Sequence, residues 1–307
     1  MITRRHFNVS LMGLSAGMVL APLGGCATTP GTQRSDSMIA IDCHAHVFLH
    51  TLPMPDPRRA PAGYDATPEA YLRTLDANRM THGVLVQPSF LGLDNSYMLD
   101  VLRAHPTRLR GIAVVAPGVT ARQLDEMQQA GVVGIRLNLI GLPTPDFDSP
   151  GWRALLEQIR QRDWQVEVHQ VAAGLKPVLE PLLAAGVNVV VDHFGRPSAA
   201  LGVDDPGFHY LLSLGASRQV WVKLSAAYRN GAAGRGEATA LAAMPLLLRH
   251  FGVERLLWGS DWPHTLFEST VRYAEQRRQL EQLLPLESER SMVLHQTPAR
   301  LFRFTDR

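Results

Sequence analysis

Eight short, almost continuous apolar runs divide this sequence, and segments with helical periodicity lie between them. The runs cover residues 39–43, 83–86, 111–115, 132–139, 165–168, 187–191, 220–224 and 256–258, and helical patterns include 71–80, 121–130 and 152–162. Strands that are apolar on both faces are typical of parallel sheets covered by helices. Eight β-then-α units predict a single α/β domain over residues 38–307, a (β/α)8 TIM barrel. An open doubly wound sheet is the alternative, but it usually has a glycine fingerprint after its first strand, and none is present there.

The N-terminal 25 residues have the pattern of an export signal. Arg4 and Arg5 precede an uncharged apolar run over residues 9–23, and the run is followed by Gly24, Gly25 and Cys26. We interpret residues 1–25 as a twin-arginine signal peptide of the lipoprotein type, which predicts a periplasmic protein with a possible lipid anchor at Cys26. A transmembrane helix is the alternative, but the run is short for a span of about 20 residues. The polar residues 26–37 then form a tether.

The charge pattern argues against nucleic acid as a partner. The formal net charge is +2, and no block of basic residues occurs, whereas nucleic-acid binding requires clustered Lys and Arg. The only membrane contact that the sequence predicts is the possible lipid anchor. Cys43 is the one cysteine of the predicted domain. Because side chains alternate along a strand, we expect Cys43 to point away from His44 and His46, toward the helices, as a small buried side chain.

Polar side chains follow the apolar runs at six of the predicted strand ends. Active sites of these barrels are built at the C-terminal ends of the strands, so these side chains are expected to meet at one site. His44 and His46 lie on the same face of the first strand, since strand side chains repeat with period two. The converging set is His44 and His46 (strand 1), Arg136 and Asn138 (strand 4), His169 (strand 5), His193 (strand 6), Arg229 (after strand 7), and Asp261 and His264 (strand 8).

These motifs resemble the amidohydrolase superfamily, in particular the lactonases of its amidohydrolase 2 branch, which includes the pyrone-dicarboxylate lactonases. The resemblance runs from residue 39 to the Pro298-Ala299-Arg300-Leu301-Phe302 tail, and its most specific motifs are His-x-His, Asp-His-x-Gly-Arg-Pro and Gly-Ser-Asp-Trp-Pro-His. It implies that Asp261 is the base that activates water. It also implies that His44, His46 and His169 hold a metal ion or polarise the scissile carbonyl, with His193 beside them handling protons.

Elementary chemistry is consistent with these roles. Lactone hydrolysis needs a base near the attacking water and donors directed at the carbonyl oxygen. His44, His46, His169 and Asp261 also form a plausible site for one divalent metal ion such as zinc, and a metal-free mechanism is the alternative. No lysine lies near the end of strand 4, so the carbamylated lysine that bridges two metal ions in other relatives is not available.

Arg136 and Arg229 predict a small anionic substrate, because guanidinium groups match carboxylate geometry; the alternative is that each forms a structural ion pair. Asn138 and His264 are further candidate substrate contacts. Residues 139–142 contain no cation, so we expect a lactone with a single anionic group. Three other functions stay open: a metal-dependent non-oxidative decarboxylase, a hydrolase of another ester or amide, and a non-catalytic binding protein.

Overall fold

The computed structural model describes residues 39–56, 59–61 and 63–304. The predicted export signal and tether therefore lie outside the described residues. Within those ranges, no helix is both long and apolar enough to cross a membrane. The eight predicted strands are confirmed, with ends that differ by a few residues: β1 (Ile41–Ala45), β2 (His82–Val86), β3 (Leu109–Ala113), β4 (Val132–Asn138), β5 (Gln165–His169), β6 (Asn188–Val191), β7 (Val220–Ser225) and β8 (Leu256–Gly259).

All strand pairs are parallel, and the order in the sheet follows the chain from β1 to β8. Beyond the end of β8, the Asp261 N–H donates to the His44 carbonyl (2.8 Å) and the His46 N–H donates to the Trp262 carbonyl (2.8 Å). These bonds join the eighth strand segment to the first and close the sheet. The predicted (β/α)8 barrel is therefore confirmed.

Three of the ten α-helices in the described part of the chain begin at a residue whose side chain caps them. The Thr120 side chain accepts from the Gln123 N–H while the Gln123 side chain accepts from the Thr120 N–H, so a capping box starts the third helix where the sequence predicts it. At the first helix the Thr67 side chain accepts from the Ala70 N–H, and Pro68 occupies the first turn. The helices are α1 (Pro68–Ala77), α2 (Ser96–Ala104), α3 (Ala121–Ala130), α4 (Pro150–Gln161), α5 (Lys176–Ala184), α6 (Pro206–Ser213), α7 (Arg235–Phe251), α8 (Tyr273–Leu283), α9 (Glu287–Ser291) and α10 (Thr297–Leu301).

The predicted direction of Cys43 is wrong. Between Asp42 and Ala45 the pairing of β1 with β2 shifts by one residue, a bulge that interrupts the regular alternation. Cys43 packs against inward-facing side chains such as Val84 and Leu257, not against the helices. It is fully buried, as expected of a small apolar side chain. The bulge thus directs Cys43 into the barrel as well as His44, and His46 follows on the same side.

Candidate functional site

A small cavity of about 40 Å³ opens at the C-terminal ends of the strands. Seven of the nine predicted site residues line it: His46, Arg136, Asn138, His169, His193, Arg229 and Asp261. His44 is fully buried and lies directly behind Asp261, with its Nε2 atom 3.6 Å from Oδ1. His264 is also buried, and its Nδ1 atom lies 3.4 Å from the Tyr228 hydroxyl, so it contacts the site without lining the cavity.

The two oxygens of Asp261 have different neighbours. Arg229 Nε and the Tyr228 hydroxyl each donate a hydrogen bond of 2.6 Å to Oδ2. Oδ1 faces the Nε2 atoms of His44 and His46 at 3.6 and 3.4 Å. Burial by itself would raise the pKa of Asp261, but the Arg229 guanidinium and the neighbouring imidazoles hold this pKa well below its ordinary value. Asp261 is therefore an ionised carboxylate fixed through one oxygen.

The partner of His46 determines which of its nitrogens bears a lone pair. Its Nδ1 atom lies 2.7 Å from the carbonyl oxygen of Val86, which only accepts, so Nδ1 is the donor. In the neutral ring the Nε2 lone pair then faces Asp261 Oδ1. Two lone pairs this close suit a shared proton, a water molecule or a cation. His44, His46 and Asp261 bring three ligand atoms within 4.8 Å of one another, so this set fits a metal site with an open position.

His169 lies outside that set. Its Nδ1 atom is 3.3 Å from Arg136 Nη2, and because a guanidinium only donates, Nδ1 accepts and the neutral ring carries its proton on Nε2. Burial and the positive charge of nearby groups lower the pKa of His169 well below its ordinary value, so the ring stays neutral. His169 lines the cavity, and its Nε2 atom has no hydrogen-bond partner among the described residues. The structure thus leaves His169, a residue of the cavity wall, with an Nε2–H donor that is unpaired within the described part of the chain.

His193 lies between the other imidazoles. Its ring centroid is 4.9 Å from that of His44 and 4.8 Å from that of His169, and its Nδ1 atom contacts the Ser225 hydroxyl at 2.8 Å. His44, Asp192 and His193 form a second group with ligand atoms within 4.8 Å. Burial lowers the pKa of His193 well below its ordinary value, which keeps the ring neutral and able to exchange a proton.

A buried charge network lies beneath these histidines. Lys223 Nζ is 2.6 Å from Glu167 Oε2, 3.5 Å from Asp192 Oδ1 and 3.1 Å from His44 Nδ1. Arg136 completes the network with a 3.1 Å contact to Asp192 Oδ2. Burial raises the pKa of Glu167 to about 7, although Lys223 opposes this, and burial together with Lys223 lowers the pKa of His44 to about 3. The sequence analysis missed Glu167, although alternation on β5 places it on the same face as His169.

Both predicted substrate arginines are in ion pairs with carboxylates of the site. Arg136 pairs with Asp192, and Arg229 pairs with Asp261, which is the alternative that the sequence left open. Both still line the cavity, and so does Arg59, which the sequence analysis did not select. Three guanidinium groups therefore line the cavity, and those of Arg136 and Arg229 are each paired with a carboxylate.

The amidohydrolase family model Amidohydro_2 matches residues 41–304. The 4-sulfomuconolactone hydrolase of Hydrogenophaga intermedia is 31% identical over 268 residues, which cover 85% of this chain and 88% of the relative. The structure of a candidate 2-pyrone-4,6-dicarboxylic acid hydrolase from Pseudomonas putida is 44% identical with a TM-score of 0.82, covering 87% of this chain and 98% of that one. A similar candidate hydrolase from Acinetobacter baumannii, with citric acid bound, is 38% identical with a TM-score of 0.84, covering 87% and 100%. The family model spans almost the whole barrel, and the chain therefore belongs to the amidohydrolase family.

Proposed function

We propose that this protein is a hydrolase that opens the cyclic ester of a small anionic lactone, with Asp261 as the base that accepts a proton from the attacking water. The observation that carries the proposal is the asymmetry of Asp261. Arg229 and Tyr228 fix Oδ2, while Oδ1 remains at the cavity among imidazole nitrogens. A general base needs this combination of fixed position and one oxygen available to water.

The carbonyl of the lactone requires hydrogen-bond donors at the oxygen that becomes negative. His169 supports this role, because its Nε2 proton is directed by Arg136 and lacks another partner among the described residues. His193 is the candidate for passing to the leaving alkoxide the proton that Asp261 accepts from water, since it is neutral and buried and its ring centroid lies within 5 Å of those of His44 and His169. Opening the ring then yields a hydroxy acid.

An anionic substrate is supported by the guanidinium groups that line the cavity and by the similar proteins. Arg59, Arg136 and Arg229 line the cavity, and Asp261 is the one carboxylate among the described lining residues. The relatives at 31% and 44% identity are named for a sulfonated muconolactone and a pyrone dicarboxylate, both anionic cyclic esters, and the related structure from Acinetobacter baumannii holds citric acid. We propose one anionic group as the minimum requirement for binding.

A single divalent ion such as zinc is compatible with this site. His44, His46 and Asp261 would hold it, and His169 would remain a hydrogen-bond donor. When bound, such an ion supplies Lewis-acid polarisation of the carbonyl and lowers the pKa of a bound water. The roles of Arg229, Tyr228 and His169 described above are the same with or without the ion.

The proposal is tested with a panel of anionic and neutral lactones, following acid release with a pH indicator and carbon dioxide release in parallel. We expect acid release from anionic lactones, and a decrease of roughly 10²-fold or more in kcat for Asp261→Asn, because a positioned base contributes about that much. Asp100→Asn, an exposed carboxylate on α2, is the control. Near-normal turnover by Asp261→Asn would contradict the role of the base. Carbon dioxide release without lactone opening would favour the decarboxylase instead.

A further inference from the structure

A second cleft adjoins the catalytic cavity at the ends of β2, β3 and β4. Its volume is about 500 Å³, compared with about 40 Å³ for the catalytic cavity. Ser89, after β2, and Asn138, at the end of β4, line both spaces. The cleft therefore meets the catalytic cavity at these two side chains.

The walls of this cleft are largely apolar. They include Pro55, Leu93, Val114 and Leu142. Both leucines are strongly exposed, with exposed fractions of 59% for Leu93 and 44% for Leu142. Large exposed apolar side chains that meet in one concave surface are typical of a binding site. None of the described residues that line the cleft carries a positive charge. The apolar walls of the cleft therefore suit an apolar group.

The apolar walls are held in place by a buried asparagine. Asn95 donates to the carbonyl oxygens of Leu93 (2.9 Å) and Val114 (2.8 Å), and it accepts from the Val114 N–H (3.0 Å). On the opposite side, the Leu142 N–H donates to the Leu139 carbonyl, which also accepts from Gln170. Backbone segments fixed in this way form a surface that exists before a ligand arrives, which reduces the entropy lost on binding.

The sizes of the two spaces indicate how a substrate is divided between them. A cavity of about 40 Å³ holds about three water molecules, so it has room for a reacting ester group and the attacking water but not for a larger molecule. The rest of the substrate has to occupy adjoining space. The cleft of about 500 Å³ that begins at Ser89 and Asn138 provides that space.

We propose that this cleft binds an apolar substituent of the substrate, so that the preferred lactones carry one anionic group at the arginines and an alkyl or aryl group on the side of Leu93 and Leu142. This inference rests on the proposed lactone hydrolysis. It adds a preference for an apolar substituent, which the arginines of the catalytic cavity do not by themselves indicate.

The test uses γ-butyrolactones that carry one ring carboxylate and a methyl, propyl or pentyl substituent. For the wild-type protein we expect kcat/KM to increase by roughly threefold to fourfold per added methylene, as expected when each methylene leaves water for an apolar surface. A value of kcat/KM that stays constant or falls with chain length would overturn the proposal.

The variants Leu93→Asn and Leu142→Asn locate the effect. Each variant should reduce the increase in kcat/KM per methylene to less than about twofold. The value of kcat/KM for the methyl compound should stay within about twofold of wild type, because these two side chains act on the longer substituent and not on the reacting ester. Leu286→Asn is the matched control, since Leu286 is 60% exposed but does not line the cleft. A dependence on chain length that both cleft variants retain would also overturn the proposal.

Binding measurements separate a failure of this inference from a failure of the proposed function. Calorimetry with Asp261→Asn and the ring-opened hydroxy acids of the same series requires no hydrolysis. Affinity that increases with chain length supports the cleft even if no lactone is hydrolysed by the wild-type protein. Equal affinities across the series would overturn the cleft even if hydrolysis is efficient.

Discussion

At the scale of the residue, the hydrogen bonds to Asp261 Oδ2 allow a defect in the base to be distinguished from a defect in substrate binding. Because the Tyr228 hydroxyl donates to Oδ2 beside Arg229 Nε, removing this hydroxyl should disturb the base more than the binding of substrate. For Tyr228→Phe we expect kcat to fall about tenfold or more, since a hydrogen bond to a charged group contributes about 1.5–3 kcal/mol, with KM within about twofold. Steady-state kinetics on an accepted lactone measure both constants. An increase in KM at unchanged kcat would mean that Tyr228 binds substrate instead.

The residues at the strand ends could be predicted, but their pairings could not. Alternation and the rule that barrel sites lie at C-terminal strand ends select His46, His169 and Asp261 from the sequence. Arg229 and Asp261 are 32 residues apart and follow different strands, so their contact depends on how two loops fold over the barrel. In the sequence Asp261 has no cation beside it, whereas in the structure a guanidinium nitrogen lies 2.6 Å from it.

At the scale of the element, β8 approaches β1 closely enough to exclude even a methyl group. A Cβ atom added at Gly259 would lie 2.6 Å from the Cβ atom of His44. We expect Gly259→Ala to lower the free energy of unfolding by about 1–3 kcal/mol through overpacking, and to lower activity because His44 must move. Urea unfolding and the lactone assay measure the two effects. Gly118→Ala is the control, since an added Cβ there meets nothing within 4 Å; equal stability of both variants would contradict the close approach.

Strand β1 shows which structural features a sequence pattern does not reveal. The apolar run that forms β1 is recognisable, and so is the period of two that places His44 and His46 together. The bulge between Asp42 and Ala45 cannot be recognised in the sequence, because a strand with one unpaired residue has the same apolar composition as a regular strand. The direction of Cys43 was therefore predicted wrongly, while its burial was predicted correctly.

At the scale of the whole molecule, the barrel was predictable because eight repeats of one simple pattern reinforce each other.

The predicted export of the protein rests on the N-terminal sequence alone. Replacing Arg4 and Arg5 together by lysine should leave the precursor in the cytoplasm if the twin-arginine interpretation holds. Cell fractionation and immunoblotting measure this, with the exposed pair Arg122→Lys and Arg153→Lys as the control. Mature protein at normal levels in the periplasm would contradict the interpretation.

The bonds that close the barrel also connect the parts of the site. Asp261 N–H binds the His44 carbonyl and His46 N–H binds the Trp262 carbonyl, so the base meets its histidines only where the last strand segment reaches the first. A nascent chain that has not yet left the ribosome beyond Trp262 has both histidines on an open sheet edge and lacks the base beside them. Such edges invite pairing with other chains. Hydrolysis of a lactone would therefore report on closure of the barrel: an active molecule is one in which the segment at Asp261 and Trp262 has reached β1.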